Sequence, residues 1–151
     1  MTLGKNMQII TDTNIVIDFL RGDKDTFKLF DLVKNKKIVA IVNQIIIAEL
    51  YVGVEFNSNP KIALNKLETF LDILKIQNLN LEEFKRSGRI LGQLGKKGTW
   101  IQTNDAIIAA HSERPEIDYL LTNNKKHFEM IESIRNKVKT LQEFMELIKR
   151  L

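Results

Sequence analysis

Gln8–Leu20, QIITDTNIVIDFL, decides the fold, because a short apolar run stops at one acid, Asp12, and a helical pattern follows at once. Met7–Thr11 (MQIIT) has the length and branching of a buried strand, and Ile15–Arg21 has helical spacing. The same alternation continues outward. Lys37–Val42, Ile73–Gln77, Tyr119–Thr122 and a short piece near Lys137–Lys139 read as strands. Helices are expected at Asp25–Asn35, Gln44–Asn57, Pro60–Leu71, Leu81–Lys97, Asp105–Glu113 and from Leu141 to the end. Strands separated by helices need crossover connections, which implies an α/β fold with a central parallel sheet covered on both faces. Ligands in such sheets bind beyond the carboxyl ends of the strands, where Asp12 falls.

Local signals support this segmentation. Asn59-Pro60 places a capping residue before a proline at the first helical position, while Asn80…Glu83 and Thr140…Glu143 have capping-box spacing. With few prolines and glycines, and no linker or repeat, the 151 residues read as a single domain, 1–151. The absence of cysteine excludes disulfides, zinc–thiolate sites and cysteine nucleophiles, and two histidines leave little for Ser–His catalysis. Met1–Gln8 lacks the apolar centre of a signal peptide and no stretch reaches membrane-span length, so a cytoplasmic location is expected. A net charge of +4 modestly favours an acidic partner such as nucleic acid.

Asp12 has an ordinary explanation as a helix cap, since Asp-Thr-Asn side chains bond free N–H groups of a first turn. Glu49 is harder to explain, being the only charged residue between Ile38 and Val54. A buried carboxylate there would need a cation, a metal or a proton, although a position on the helix rim would remove the need. Asp105, in Trp100–His111 (WIQTNDAIIAAH), is expected in a first helical turn capped by Thr103 or Asn104, where the helix dipole favours an acid. Its neighbours Ile107, Ile108, Ala109 and Ala110 are expected to pack. Convergence of these carboxylates would form a hard, oxygen-only ligand set, suited to Mg²⁺ or Mn²⁺ and hence to phosphodiester hydrolysis.

Ile10–Gly22 (ITDTNIVIDFLRG), Ile47–Val54 (IAELYVGV), Asn104–His111 (NDAIIAAH) and Leu120–Glu129 (LLTNNKKHFE) follow one another in the order and approximate spacing of the PIN-domain family. They resemble in particular its VapC-type toxins from toxin–antitoxin pairs. The resemblance implies a three-layer α/β/α fold, an acidic pocket for Mg²⁺ or Mn²⁺, and endonucleolytic RNA cleavage. Asp12, Glu49 and Asp105 match the family's first three acids. A fourth often follows the fourth strand, where this chain has Thr122-Asn123-Asn124. The resemblance also implies a cognate antitoxin and a homodimer. A non-catalytic PIN-like RNA-binding or scaffold protein and a non-toxin RNA-processing nuclease are the alternatives.

On this basis Asp12 and Asp105 are expected to bind the metal, with Glu49 completing the site or orienting the attacking water. Thr11, Thr13, Asn104, Asn123 and Asn124 are candidates to support the carboxylates or a metal water. Arg21, Arg86, Lys96 and Lys97 are candidate RNA phosphate contacts, although each is also an ordinary solvated charge. His111 and His127 read as helix-surface or packing residues, and Asp18 as a polar position on the first helix. Trp100 suits base stacking or a core or dimer contact. Aliphatic and aromatic residues in Gln44–Leu71, including Tyr51, Val52, Val54, Phe56, Leu64 and Leu67, exceed what one small core needs and suggest a dimer face.

Overall fold

Met7–Thr11 forms β1, the middle strand of a five-stranded, all-parallel sheet in the computed structural model, which describes residues 6–150. The expected domain 1–151 and the N-terminal stretch Met1–Gln8, expected to be no signal peptide, therefore extend partly beyond the described residues. The chain continues through α1 (Thr13–Leu20), α2 (Lys24–Lys34), β2 (Ile38–Val42), α3 (Gln44–Glu55) and α4 (Pro60–Leu71). Next come β3 (Lys75–Ile76), α5 (Leu81–Lys96), α6 (Thr103–Ser112) and β4 (Tyr119–Leu121). The last elements are α7 (Lys125–Glu129), a 3₁₀ turn (Glu132–Lys137), β5 (Val138–Lys139) and α8 (Leu141–Lys149).

The strand order is β3-β2-β1-β4-β5. Ile9 and Ile10 in β1, Ala40, Ile41 and Val42 in β2, and Leu120 and Leu121 in β4 are all buried. Consecutive strand residues point to opposite faces, so burial of both parities means helices cover both sides. This is the expected three-layer α/β/α arrangement. Phe19, Phe30 and Phe70 join α1, α2 and α4, with Phe30 and Phe70 edge-on at 4.9 Å. Each such pair contributes about 0.5–1.5 kcal/mol beyond burial, which fixes the helix following Asp12.

Several boundaries differ from the sequence expectation. Helix α1 starts at Thr13, not Ile15, because Asp12 itself caps it, accepting from Thr13 N at 2.8 Å. Helix α6 starts at Thr103, with Gln102 as its cap residue and no side-chain cap bond, so neither Thr103 nor Asn104 caps it. Strand β3 keeps only Lys75–Ile76, both exposed on a sheet edge. The α7 and 3₁₀ segments carry no amphipathic repeat long enough to stand out in sequence. Each is pinned by one buried residue, Phe128 and Ile134 respectively.

Candidate active site

Strand β1 has β2 on one side and β4 on the other, so the chain leaves the sheet in different directions at the carboxyl ends of β1 and β4. Such a switch point opens a crevice. Asp12 follows β1 there, and its backbone N–H donates to Leu121 O at 2.9 Å, joining the two strand ends. The Asp12 side chain is 5% exposed. Oδ1 takes the cap bond, and Oδ2 accepts from Thr122 Oγ1 at 2.7 Å. Thr122 Oγ1 in turn accepts from Asn124 N at 2.9 Å, which leaves its proton for Asp12. Burial nevertheless dominates and raises the Asp12 pKa, the bonds from Thr122 and Thr13 offsetting it only in part.

Glu49 projects from α3 and accepts from Thr13 Oγ1 at 2.8 Å. Thr13 thus has its backbone bonded to one acid and its side chain to another. Glu49 is half-buried rather than enclosed in the core. Its pKa is raised mainly by burial; the Thr13 bond lowers it, the charge of Asp12 raises it and the Asn104 side chain lowers it.

Asp105, third residue of α6, is the most perturbed of the three. Desolvation, then the charges of Asp12 and Glu49, push it up to about 6, while His127 pulls it down. His127 Nδ1 stands 4.0 Å from Asp105 Oδ2, so this exposed histidine borders the acids. The packing expected of Ile107, Ile108, Ala109 and Ala110 is present, since all four are buried.

Three carboxylates from three elements therefore press on one another electrostatically at the switch point. Among the described residues no three His, Cys, Asp or Glu side chains gather into a ready-made metal cage. An oxygen-only set of this kind fits Mg²⁺, which retains waters and is held by one or two carboxylates together with substrate phosphates.

The supporting candidates divide. Thr13 and Asn104 act on Glu49, and Asn124 contributes its backbone N–H through Thr122. Thr122 was not singled out by sequence, although it opens the Thr122-Asn123-Asn124 segment that follows β4. Asn123 instead donates to Asp18 at 3.1 Å, so it braces α1 rather than an acid of the trio. Thr11 Oγ1 is buried without a hydrogen-bond partner and holds no carboxylate.

The cations divide similarly. Arg86 grips Glu113 through Nε at 2.9 Å and Nη2 at 2.9 Å, which withdraws it as a phosphate contact. Arg21 lines a groove of mixed character with Leu50, Ile62, Asn57, Asn59 and Lys66. Lys96 and Lys97 are exposed on a different groove, between α5 and Met130–Ser133. Trp100 is 71% exposed, which removes the core alternative. His111 is fully buried, with Nδ1 2.9 Å from Asn43 Nδ2 and Nε2 2.8 Å from Gln77 Oε1. Because Asn43 Oδ1 already caps α3, its NH₂ donates to Nδ1, and the neutral ring donates from Nε2 to Gln77. Burial and then Arg114 lower its pKa to about 4.

A profile of the PIN domain matches residues 9–132. The chain is 31% identical over 129 residues to "Ribonuclease VapC2" of Haemophilus influenzae, covering 85% of this chain and 96% of that one. It is 32% identical over 130 residues to "Ribonuclease VapC2" of Rickettsia felis, covering 85% and 95%. The crystal structure of VapBC2 from Rickettsia felis, bound to a promoter DNA fragment, superposes with a TM-score of 0.77 at 26% identity, covering 89% of this chain and 98% of that one. Matched along most of its length in sequence and in fold, the chain belongs to the PIN domain family, among its VapC-type members.

Proposed function

We propose that this protein is a Mg²⁺-dependent endoribonuclease, the toxin of a toxin–antitoxin pair, with Asp12, Glu49 and Asp105 as its catalytic acids. The observation that carries the reading is geometric: three separate elements deliver Asp12, Glu49 and Asp105 to the switch point, with Thr13 bridging the first two and His127 bordering the third. Its relatives named ribonuclease VapC2 support RNA as the substrate.

Asp12 and Asp105 would hold Mg²⁺, with Mn²⁺ as an alternative, and Glu49 would complete the site. When bound, the ion supplies charge neutralisation at the phosphate and a more acidic water. The chain's own groups do the positioning. Thr122 fixes Asp12 on the carboxyl edge, and Thr13 fixes Glu49 against the same turn. Glu49, half-exposed with a raised pKa, is suited to orient the attacking water and accept its proton. Thr122-Asn123-Asn124 contributes no charge after β4, so substrate phosphate would supply more of the ligand set.

An antitoxin that masks this pocket is part of the proposal, as is a homodimer. Tyr51 and Val52 on α3, Phe56 just after it and Ile62 on α4 are exposed apolar groups suited to the dimer face. Val54 and Leu67 belong to the core instead, and Leu64 packs against it. Among the described residues no helix is long and apolar enough to cross a membrane, and a cytoplasmic location is proposed with the RNA substrate.

The test is purified protein incubated with total cellular RNA in Mg²⁺ and in EDTA, with product ends mapped. Discrete Mg²⁺-dependent fragments are expected. Binding of RNA without any cleavage, with Mg²⁺ or Mn²⁺, would overturn the enzyme in favour of a binding module.

A further inference from the structure

A groove of about 560 Å³ lies between α5 and the segment Met130–Ser133, outside the acidic trio. Its floor is apolar, with Ile90, Leu94 and Ile131, and its rim carries Lys96 and Lys97. Neither lysine forms an ion pair among the described residues, in contrast to Arg86 at the same groove. Glu132 lies on the opposite wall.

Two elements run from the groove toward the acids, none of which lines it. Helices α5 and α6 are antiparallel, because Arg86 pairs with Glu113 and Glu83 with Arg114, placing the start of α5 beside the end of α6. The end of α5, with Lys96 and Lys97, therefore lies toward the start of α6, with Asp105. Gly98, at φ +74, turns the chain at that end, a conformation glycine adopts without strain. Trp100 stands exposed between the two lysines and Asp105 in sequence. From the other side, α7 carries His127 against Asp105 and then leads directly into Met130. Asn123, Asn124, Lys126 and His127 line a polar recess along α7.

We propose that this groove binds single-stranded RNA flanking the scissile bond, with Lys96 and Lys97 taking phosphates and Trp100 stacking on a base. The inference rests on the nuclease reading above and adds where the substrate leaves the acids. The charge pattern accounts for it: the trio repels a polyanion, so binding energy must come from cations placed beside it. Trp100 is not part of the groove lining but follows Lys97 by three residues and is exposed, and an indole that can reach paired lysines is the combination that holds single strands without base-specific hydrogen bonds. Arg86 takes no part, because Glu113 already occupies it.

The test uses a fluorescent RNA oligonucleotide spanning the mapped cleavage site. Cleavage kinetics are measured for the full chain, for Lys96→Ala/Lys97→Ala, and for Lys28→Ala/Lys34→Ala, which removes equal charge from exposed positions on α2. Binding anisotropy is measured with each lysine pair changed in an Asp105→Asn background. The groove pair is expected to raise KM about tenfold with kcat little changed, and to reduce the slope of log K against log salt by about 1.4 for two lost phosphate contacts. Trp100→Ala is expected to weaken binding at least about fivefold, with Trp100→Phe retaining most of it. Equal losses in the α2 pair, or unchanged KM and salt slope in the groove pair, would overturn the groove while leaving the nuclease intact. Absence of cleavage by the unsubstituted chain would instead sink the reading on which it rests.

Discussion

Thr122 illustrates how one hydroxyl governs an acid. It is fully buried, accepts from Asn124 N and donates to Asp12 Oδ2, so its hydrogen-bonding direction is set. Thr122→Val keeps the shape and removes the donor. The expected result is a roughly 10–100-fold rise in the Mg²⁺ concentration for half-maximal cleavage. Thr122→Ser should recover most of the loss, and a Mg²⁺ titration of the cleavage rate reads both. Asp105 and His111 make opposite contributions to stability over nearly the same pH range. The Asp105 pKa rises from 3.8 to about 6, so the folded state binds more protons in that window and its contribution falls as pH rises. The His111 pKa falls from 6.5 to about 4, so the unfolded state binds more protons and stability rises with pH. Asp105→Asn removes the first effect, and its stability should climb more steeply between pH 4 and 6.5 than that of the unsubstituted chain. At pH 7.5 without metal it should be stabilised by about 1 kcal/mol after allowance for partial exposure; thermal unfolding across pH measures both. Asp12, Glu49 and Asp105 were legible because acids in apolar runs demand an explanation. Thr122 was not, because a threonine after a strand is ordinary and its partner lies 110 residues away.

At the scale of elements, helix starts were legible where the side chain serves only the cap. Asn59 before Pro60 caps α4, and both capping boxes, Asn80 with Glu83 and Thr140 with Glu143, are formed. Asn80→Ala should cost about 1 kcal/mol in denaturant unfolding. Glu83 also pairs with Arg114, so loss of its orientation should loosen α5 from α6 as well. The start of α6 was misread because Thr103 and Asn104, which have cap chemistry, are its first two helical residues, while Gln102 stands at the cap position with no side-chain cap bond. The short α7 escaped because it is one turn of mostly charged residues held by Phe128 alone. That helix nevertheless places His127 beside Asp105, so the border of the site was the least readable part of it.

For the whole molecule, crossovers between strands made a parallel sheet readable, whereas the order β3-β2-β1-β4-β5 was not. Pairing of β1 with β4 depends on packing over most of the chain, yet this pairing creates the crevice and brings Thr122 to Asp12. Fold and site are coupled through it, and a divalent ion relieving the three carboxylates should stabilise the fold as a unit. Mg²⁺ alone should therefore raise the Tm of the unsubstituted chain, and raise it less in Asp12→Asn. The most direct measurement is the rate of RNA cleavage at saturating Mg²⁺ by the unsubstituted chain, Asp12→Asn and Asp105→Asn, with folding verified by circular dichroism. A loss of at least about 100-fold in both folded variants is expected, in line with removal of a metal-holding or charge-stabilising group. Cleavage at an undiminished rate by either folded variant would contradict the assignment of the acidic trio.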